Sequence, residues 1–127
     1  MEPLKWTDKL AIGHSIIDDH HQKLLELING VLSQKPGAPV IIGTLIELID
    51  YTRYHFLEEE KIMLNVGYPE INAHRKSHEK LTAEVIKIYN NYIENALSIS
   101  NEQLFKFLSR WLIDHIFNKD HLIKPYL

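Results

Sequence analysis

At 127 residues the chain has the length of one domain, enough to bury a real core. Hydrophobic residues make up 45%, charged residues 24% and the net charge is −3, with no basic stripe, which argues against nucleic acid as the main partner. The absence of cysteine excludes disulfides, thiolate metal sites and a cysteine nucleophile. No stretch approaches the ~20 apolar residues of a membrane span. The opening Met1-Glu2-Pro3-Leu4-Lys5-Trp6 lacks the basic-then-apolar pattern of a secretory signal. A cytoplasmic protein with no membrane partner is therefore expected. The compositional oddity is histidine, with eight, at positions 14, 20, 21, 55, 74, 78, 115 and 121.

Residues 1–17 lack helical periodicity and read as an ordered arm, with Trp6, Leu10, Ile12 and Ile16 packing on something larger. The first helix is predicted over 18–34, with Asp18 as N-cap. Its rows 21-25-28-32 and 20-24-27-31 are both apolar, so periodicity leaves open whether His20 or His21 faces the core. Pro36-Gly37-Ala38-Pro39 breaks the chain, and a second helix is predicted over 40–66, with Pro39 in its first turn and Gly67 past its end.

Within the second helix, His55 and Glu59 are four apart and share a face with Leu45, Leu48, Thr52, Ile62 and Val66. A histidine and a carboxylate in an apolar stripe are costly unless something pairs with them. A metal ion is one such partner; an ordinary ion pair is the plainer alternative. A third helix over 69–94 carries the stripe His74, His78, Leu81, Val85, Ile88 and Tyr92. Ser98-Ile99-Ser100-Asn101 is the next break, and Ser100 with Gln103 has capping-box spacing. The fourth helix, over 101–117, carries Leu104, Phe107, Leu108, Trp111, Leu112, His115 and Ile116. Asp120 follows His115 by five residues, off the helical row, and reaches the same place only if the helix end loosens or turns.

Four amphipathic helices with short breaks predict an all-α, up-down-up-down antiparallel four-helix bundle forming a single domain. Each helix brings metal-ligating side chains to its inner row: His21 or His20, then His55 and Glu59, then His74 and His78, then His115 and Asp120. Any one pair could be a surface feature, but four helices supplying ligands at compatible heights points to a metal site in the bundle core. The set is too large for one ion. Two octahedral ions offer roughly twelve positions. Five histidines, two bridging carboxylates and one solvent-derived bridging oxygen fill all but one of them, leaving room for a small molecule. The His-Glu-x-x-His spacing of zinc proteases and the Glu-x-x-His pairs of ferritin-like proteins are both absent.

These residues resemble the hemerythrin family, specifically its single-domain bacterial members. The likeness rests on Trp6, Gly13, Ile17-Asp18-x-x-His21-x-x-Leu24, His55-Phe56-x-x-Glu59-Glu60, Gly67-Tyr68-Pro69, His74-x-x-x-His78 and Trp111-Leu112-x-x-His115-Ile116-x-x-x-Asp120. The resemblance implies that His21, not His20, is the ligand. It implies two iron ions with a bridging oxo or hydroxo group, one held by His74, His78 and His115, the other by His21 and His55, with Glu59 and Asp120 bridging. It further implies reversible dioxygen binding on the two-histidine iron, in a dry pocket lined by Trp111, Leu112 and Ile116. Oxygen storage, transport or delivery is thus the leading expectation, with no catalytic residue assigned. A di-iron oxidase or peroxidase, or a sensor of oxygen, nitric oxide or redox state, would use the same ligands. The sequence names no protein partner. His20 stands where the family usually has Gln, and His14 and His121 are also extra. These three are expected at the surface or bundle end, with His20 as a group behind the metal ligands being the alternative.

Overall fold

The computed structural model describes residues 2–34 and 39–127, so most of the Pro36–Pro39 break, apart from Pro39, lies outside the described residues. Four helices follow one another: α1 (Ser15–Asn29), α2 (Pro39–Asn65), α3 (Ile71–Glu94) and α4 (Asn101–Asn118). A 3-10 segment, Asp120–Tyr126, closes the chain. They form the up-down-up-down bundle, with α2 packed on α1 and α3, and α1 on α4. No helix among the described residues is long and apolar enough to cross a membrane.

The arm is tied down by two side chains of α1. Asn29 Oδ1 accepts from Leu4 N at 2.7 Å while its Nδ2 donates to Leu4 O at 2.9 Å. The Asp18 carboxylate accepts from Ile12 N at 2.8 Å and Gly13 N at 3.2 Å. Gly13 turns the chain at φ +91°, a conformation that suits glycine. Asp18 therefore holds the arm rather than capping the helix, and α1 begins three residues before the predicted start, after His14. Leu10 and Ile12 are buried as expected, but Ile16 is exposed and Ile17 takes the core position, because the helix has already begun at Ser15. The α-helix also ends earlier than predicted, at Asn29, and the chain continues as turns through Gln34.

α3 starts at Ile71, two residues later than predicted, because the chain first has to turn through Gly67 (φ +72°) and Pro69. α4 begins with a complete capping box: Gln103 N donates to Ser100 Oγ at 3.1 Å, and Ser100 N to Gln103 Oε1 at 2.9 Å. The large core cluster runs through Leu24, Ile28, Leu45, Leu48, Val85, Leu104 and Leu108. A second, smaller cluster of Met63, Tyr68 and Ile123 closes the other end. Met63 lies one turn beyond Glu59, and Ile123 three residues beyond Asp120, so the polar residues sit between two apolar plugs.

Candidate metal centre

All seven residues singled out from the sequence converge in the interior. His21, His55, Glu59 and Asp120 have no solvent exposure, and His74, His78 and His115 are buried as well. Asp120 reaches the site in the only way its spacing allows. α4 ends at Asn118, Lys119 leaves helical geometry at φ −122° and ψ −56°, and the following 3-10 turn swings the carboxylate inward.

The seven fall into two groups that share both carboxylates: Glu59, His74, His78, His115 and Asp120 in one, and His21, His55, Glu59 and Asp120 in the other. Each carboxylate turns one oxygen to each group. Glu59 Oε1 lies 2.8 Å from His74 Nε2 and 3.1 Å from His78 Nε2, and Asp120 Oδ1 lies 2.9 Å from His115 Nε2. On the other side, Glu59 Oε2 lies 3.3 Å from His55 Nε2, and Asp120 Oδ2 lies 2.9 Å from His21 Nε2.

Several of these close approaches are not hydrogen bonds. The Nε2 atoms of His21, His55 and His115, Glu59 Oε2 and both Asp120 oxygens are buried without a hydrogen-bond partner. Within each group the donor atoms all lie within 4.8 Å of one another. Unsatisfied buried groups of this kind cost free energy unless a further partner takes them. A cation in each group satisfies every one, so the residues present fit a pair of metal ions held by nitrogen and oxygen donors.

The electrostatics agree. Burial and the mutual repulsion of Glu59 and Asp120 work to raise the Glu59 carboxyl, but His55, His74 and His78 overcome them and hold it well below the usual range. Burial also works against ionised Asp120, and His115, His21 and His74 hold it down. Burial opposes the charged form of His74 too, yet Asp120 and Glu59 push it up to about 9. His21 is likewise raised against burial by Asp120. His55 goes the other way, since burial outweighs the help of Glu59.

Side chains behind the donors fix their orientation. His78 Nδ1 donates to Glu60 Oε2 at 2.8 Å, and Arg75 Nε holds the other Glu60 oxygen at 3.2 Å. The Phe56 ring stacks on His78 at 3.8 Å between centroids. With Nδ1 protonated, His78 keeps its Nε2 lone pair for the centre. Sequence reasoning gave Glu60 no role; its signal was a second carboxylate next to Glu59, which the structure places half-buried against His78.

A cavity of about 10 Å3 lies against the two-histidine group, lined by His21, His55 and His115 with Leu24, Phe56, Leu81, Trp111 and Leu112. Trp111 spends its indole N–H on Leu81 O at 3.0 Å, so the ring offers the cavity only carbon. Trp111 and Leu112 are where the sequence puts them. Ile116, fully buried one turn beyond Leu112 and in the same core cluster, is not among the residues that line the cavity. Its place is taken by Leu24 and Leu81, each three residues after a histidine of the site, and by Phe56.

Both histidines of the 20–21 pair are buried. His21 faces the carboxylates, while His20 turns to α2, where its Nδ1 lies 3.0 Å from His55 Nδ1. His20 is thus not at the surface. His14 and His121 are half-buried, and His121 packs against Phe117 away from the site.

A four-helix bundle whose core holds two histidine groups joined by two carboxylates has the architecture of a cation-binding protein. The sequence profile of the Hemerythrin HHE cation binding domain matches residues 13–127. The chain belongs to the hemerythrin family. It is 37% identical over 122 residues to a bacteriohemerythrin of Stenotrophomonas maltophilia, covering 94% of this chain and 78% of that one. A bacteriohemerythrin of Pseudomonas aeruginosa is 36% identical over the same shares, and a hemerythrin-like protein of Naegleria gruberi is 25% identical over 98% of this chain and 94% of its own. The fold matches the crystal structure of a wild-type hemerythrin with a TM-score of 0.87 at 26% identity, covering 99% of this chain and 98% of that one.

Proposed function

We propose that the protein binds dioxygen reversibly at a di-iron centre, for storage, transport or delivery. The observation that carries this reading is the division of oxygens described above: Glu59 and Asp120 each give one oxygen to a three-histidine group and one to a two-histidine group. His74, His78 and His115 would hold one iron and His21 and His55 the other, with both carboxylates spanning the pair. Iron held there would supply the redox electrons that reversible oxygen binding requires.

The chain's own residues do the rest. The two-histidine group has fewer donors, and the cavity touches that group through His21 and His55. At about 10 Å3 the cavity is small and suits only a small guest. Leu24, Phe56, Leu81, Trp111 and Leu112 keep that guest away from bulk water and from protons, which protects reversibility. Among the described residues, the cavity lining includes no carboxylate or amine; its polar side chains are the three imidazoles and the Trp111 indole, whose N–H is already bound to Leu81 O. This favours a carrier over an oxidase. The test is the lifetime of the oxygenated protein after anaerobic reconstitution with ferrous iron. A carrier persists and gives up its oxygen under vacuum; decay within seconds, with the iron left oxidised, moves the reading to an oxidase.

A further inference from the structure

The two imidazole groups differ in what stands behind them. On the three-histidine side, His78 Nδ1 meets a carboxylate, Glu60. On the two-histidine side, His55 Nδ1 meets a second imidazole, His20 Nδ1, at 3.0 Å. Two ring nitrogens at that distance share one proton: one donates and the other accepts. His55 Nε2 faces the carboxylates and has no hydrogen-bond partner there, although Glu59 Oε2 is 3.3 Å away. A lone pair on Nε2 puts the proton of the neutral ring on Nδ1. His20 Nδ1 is then the acceptor, and His20 carries its own proton on Nε2.

From this arrangement, which rests on the two-metal reading above, we propose that His20 is a positioning residue for the two-histidine centre: it accepts the His55 Nδ1 proton and so fixes the tautomer and ring angle that present His55 Nε2 to the metal. Its own ring is well placed to do so. Tyr51 meets it edge-on at 5.7 Å and Tyr54 lies tilted against it at 5.2 Å, so packing from α2 sets its orientation as well as the hydrogen bond. The hydrogen bond also draws electron density into the His55 ring, which makes Nε2 a better donor. The effect falls on the group with only two imidazoles, where each counts for more.

The experiment titrates the metal-free chain with Co2+, for the parent, His20→Leu and His20→Gln. Leucine keeps the bulk but cannot accept a proton; glutamine offers a neutral amide oxygen of similar reach. The expected result is two equivalents bound by the parent. In His20→Leu the weaker equivalent loses roughly 10- to 100-fold in affinity with the tighter one unchanged, and His20→Gln regains most of that loss. In the cobalt-loaded parent, the His55 Nδ1 proton gives a paramagnetically shifted, slowly exchanging signal; it disappears or exchanges fast in His20→Leu and returns in His20→Gln. A merely structural loss would weaken both equivalents together and would not be rescued by glutamine, and that result overturns the proposal. So does a His20→Leu chain that matches the parent in both readouts. A parent that takes only one equivalent overturns the two-metal reading and this inference with it, whereas a parent with two and an indifferent His20 overturns this inference alone.

Discussion

Glu59, in the middle of α2, and Asp120, at the start of the terminal 3-10 turn, are both fully buried, and each presents one oxygen to His74 Nε2, at 2.8 and 3.1 Å. Two carboxylates far apart in the chain thus meet at one imidazole, and through their other oxygens at a second group of histidines. The relationship makes the site a single electrostatic unit, and its energetics follow from what compensates the two negative charges.

Without metal, protons have to do that work. His74 is raised from 6.5 to about 9 by Asp120 and Glu59. A base with a raised folded value contributes stability that is whole below 6.5 and gone once the pH passes about 9. His21 is shifted in the same direction. His55 is lowered, so its contribution acts on the acid side, where folding is opposed by the charge it would otherwise take up. The metal-free protein should therefore be most stable near pH 6.5 and lose stability steadily toward pH 9. The metal-loaded protein, with neutral imidazoles and charge supplied by the ions, should lack the alkaline loss. Thermal melts of both forms from pH 5 to 10 check this; parallel profiles would contradict it.

Much of this site could be read from the chain. Histidines at four-residue spacing on apolar rows placed His55, His74 and His78, and the awkward interval from His115 to Asp120 foretold the broken end of α4. Two features stayed hidden for physical reasons, and a third came from the family resemblance and not from the helical pattern. The role of Asp18 depends on hydrogen bonds to Ile12 and Gly13 that no helical pattern encodes. The choice between His20 and His21 could not come from periodicity, because both rows are buried, one against the carboxylates and one against α2. The cavity lining depends on the rotation of each helix, which brings in Leu81 and Leu24 and leaves Ile116 out.

That last difference separates two neighbouring residues of α4. Leu112→Ala and Ile116→Ala should each cost about 2–5 kcal/mol of stability, because both side chains are buried. Only Leu112→Ala enlarges the cavity at His21 and His55. Both variants should retain iron, but Leu112→Ala should shorten the lifetime of the oxygenated protein at least tenfold and make it pH-dependent, while Ile116→Ala stays within a few-fold of the parent. Stopped-flow decay of the oxygenated absorption band, read beside urea melts, distinguishes them. Equal lifetimes would show that the cavity wall does not protect the bound gas.

The arm should act on stability alone. Asp18→Ala removes the acceptor for Ile12 N and Gly13 N, which should cost about 1–3 kcal/mol and free the arm for proteolysis ahead of α1. The metal content should not change, because Asp18 belongs to neither donor group. Limited proteolysis with iron analysis tests both halves; loss of iron would mean that the arm also shapes the centre.

In the proposed centre, two cations share Glu59 and Asp120. The most direct measurement is the iron retained after anaerobic reconstitution and gel filtration, for the parent and for Asp120→Ala. The parent should keep two irons per chain, one for each donor group. Asp120→Ala removes an oxygen from both groups at once, and should retain fewer than one iron while remaining helical. A parent that holds a single iron, or an Asp120→Ala chain that still holds two, would contradict the account.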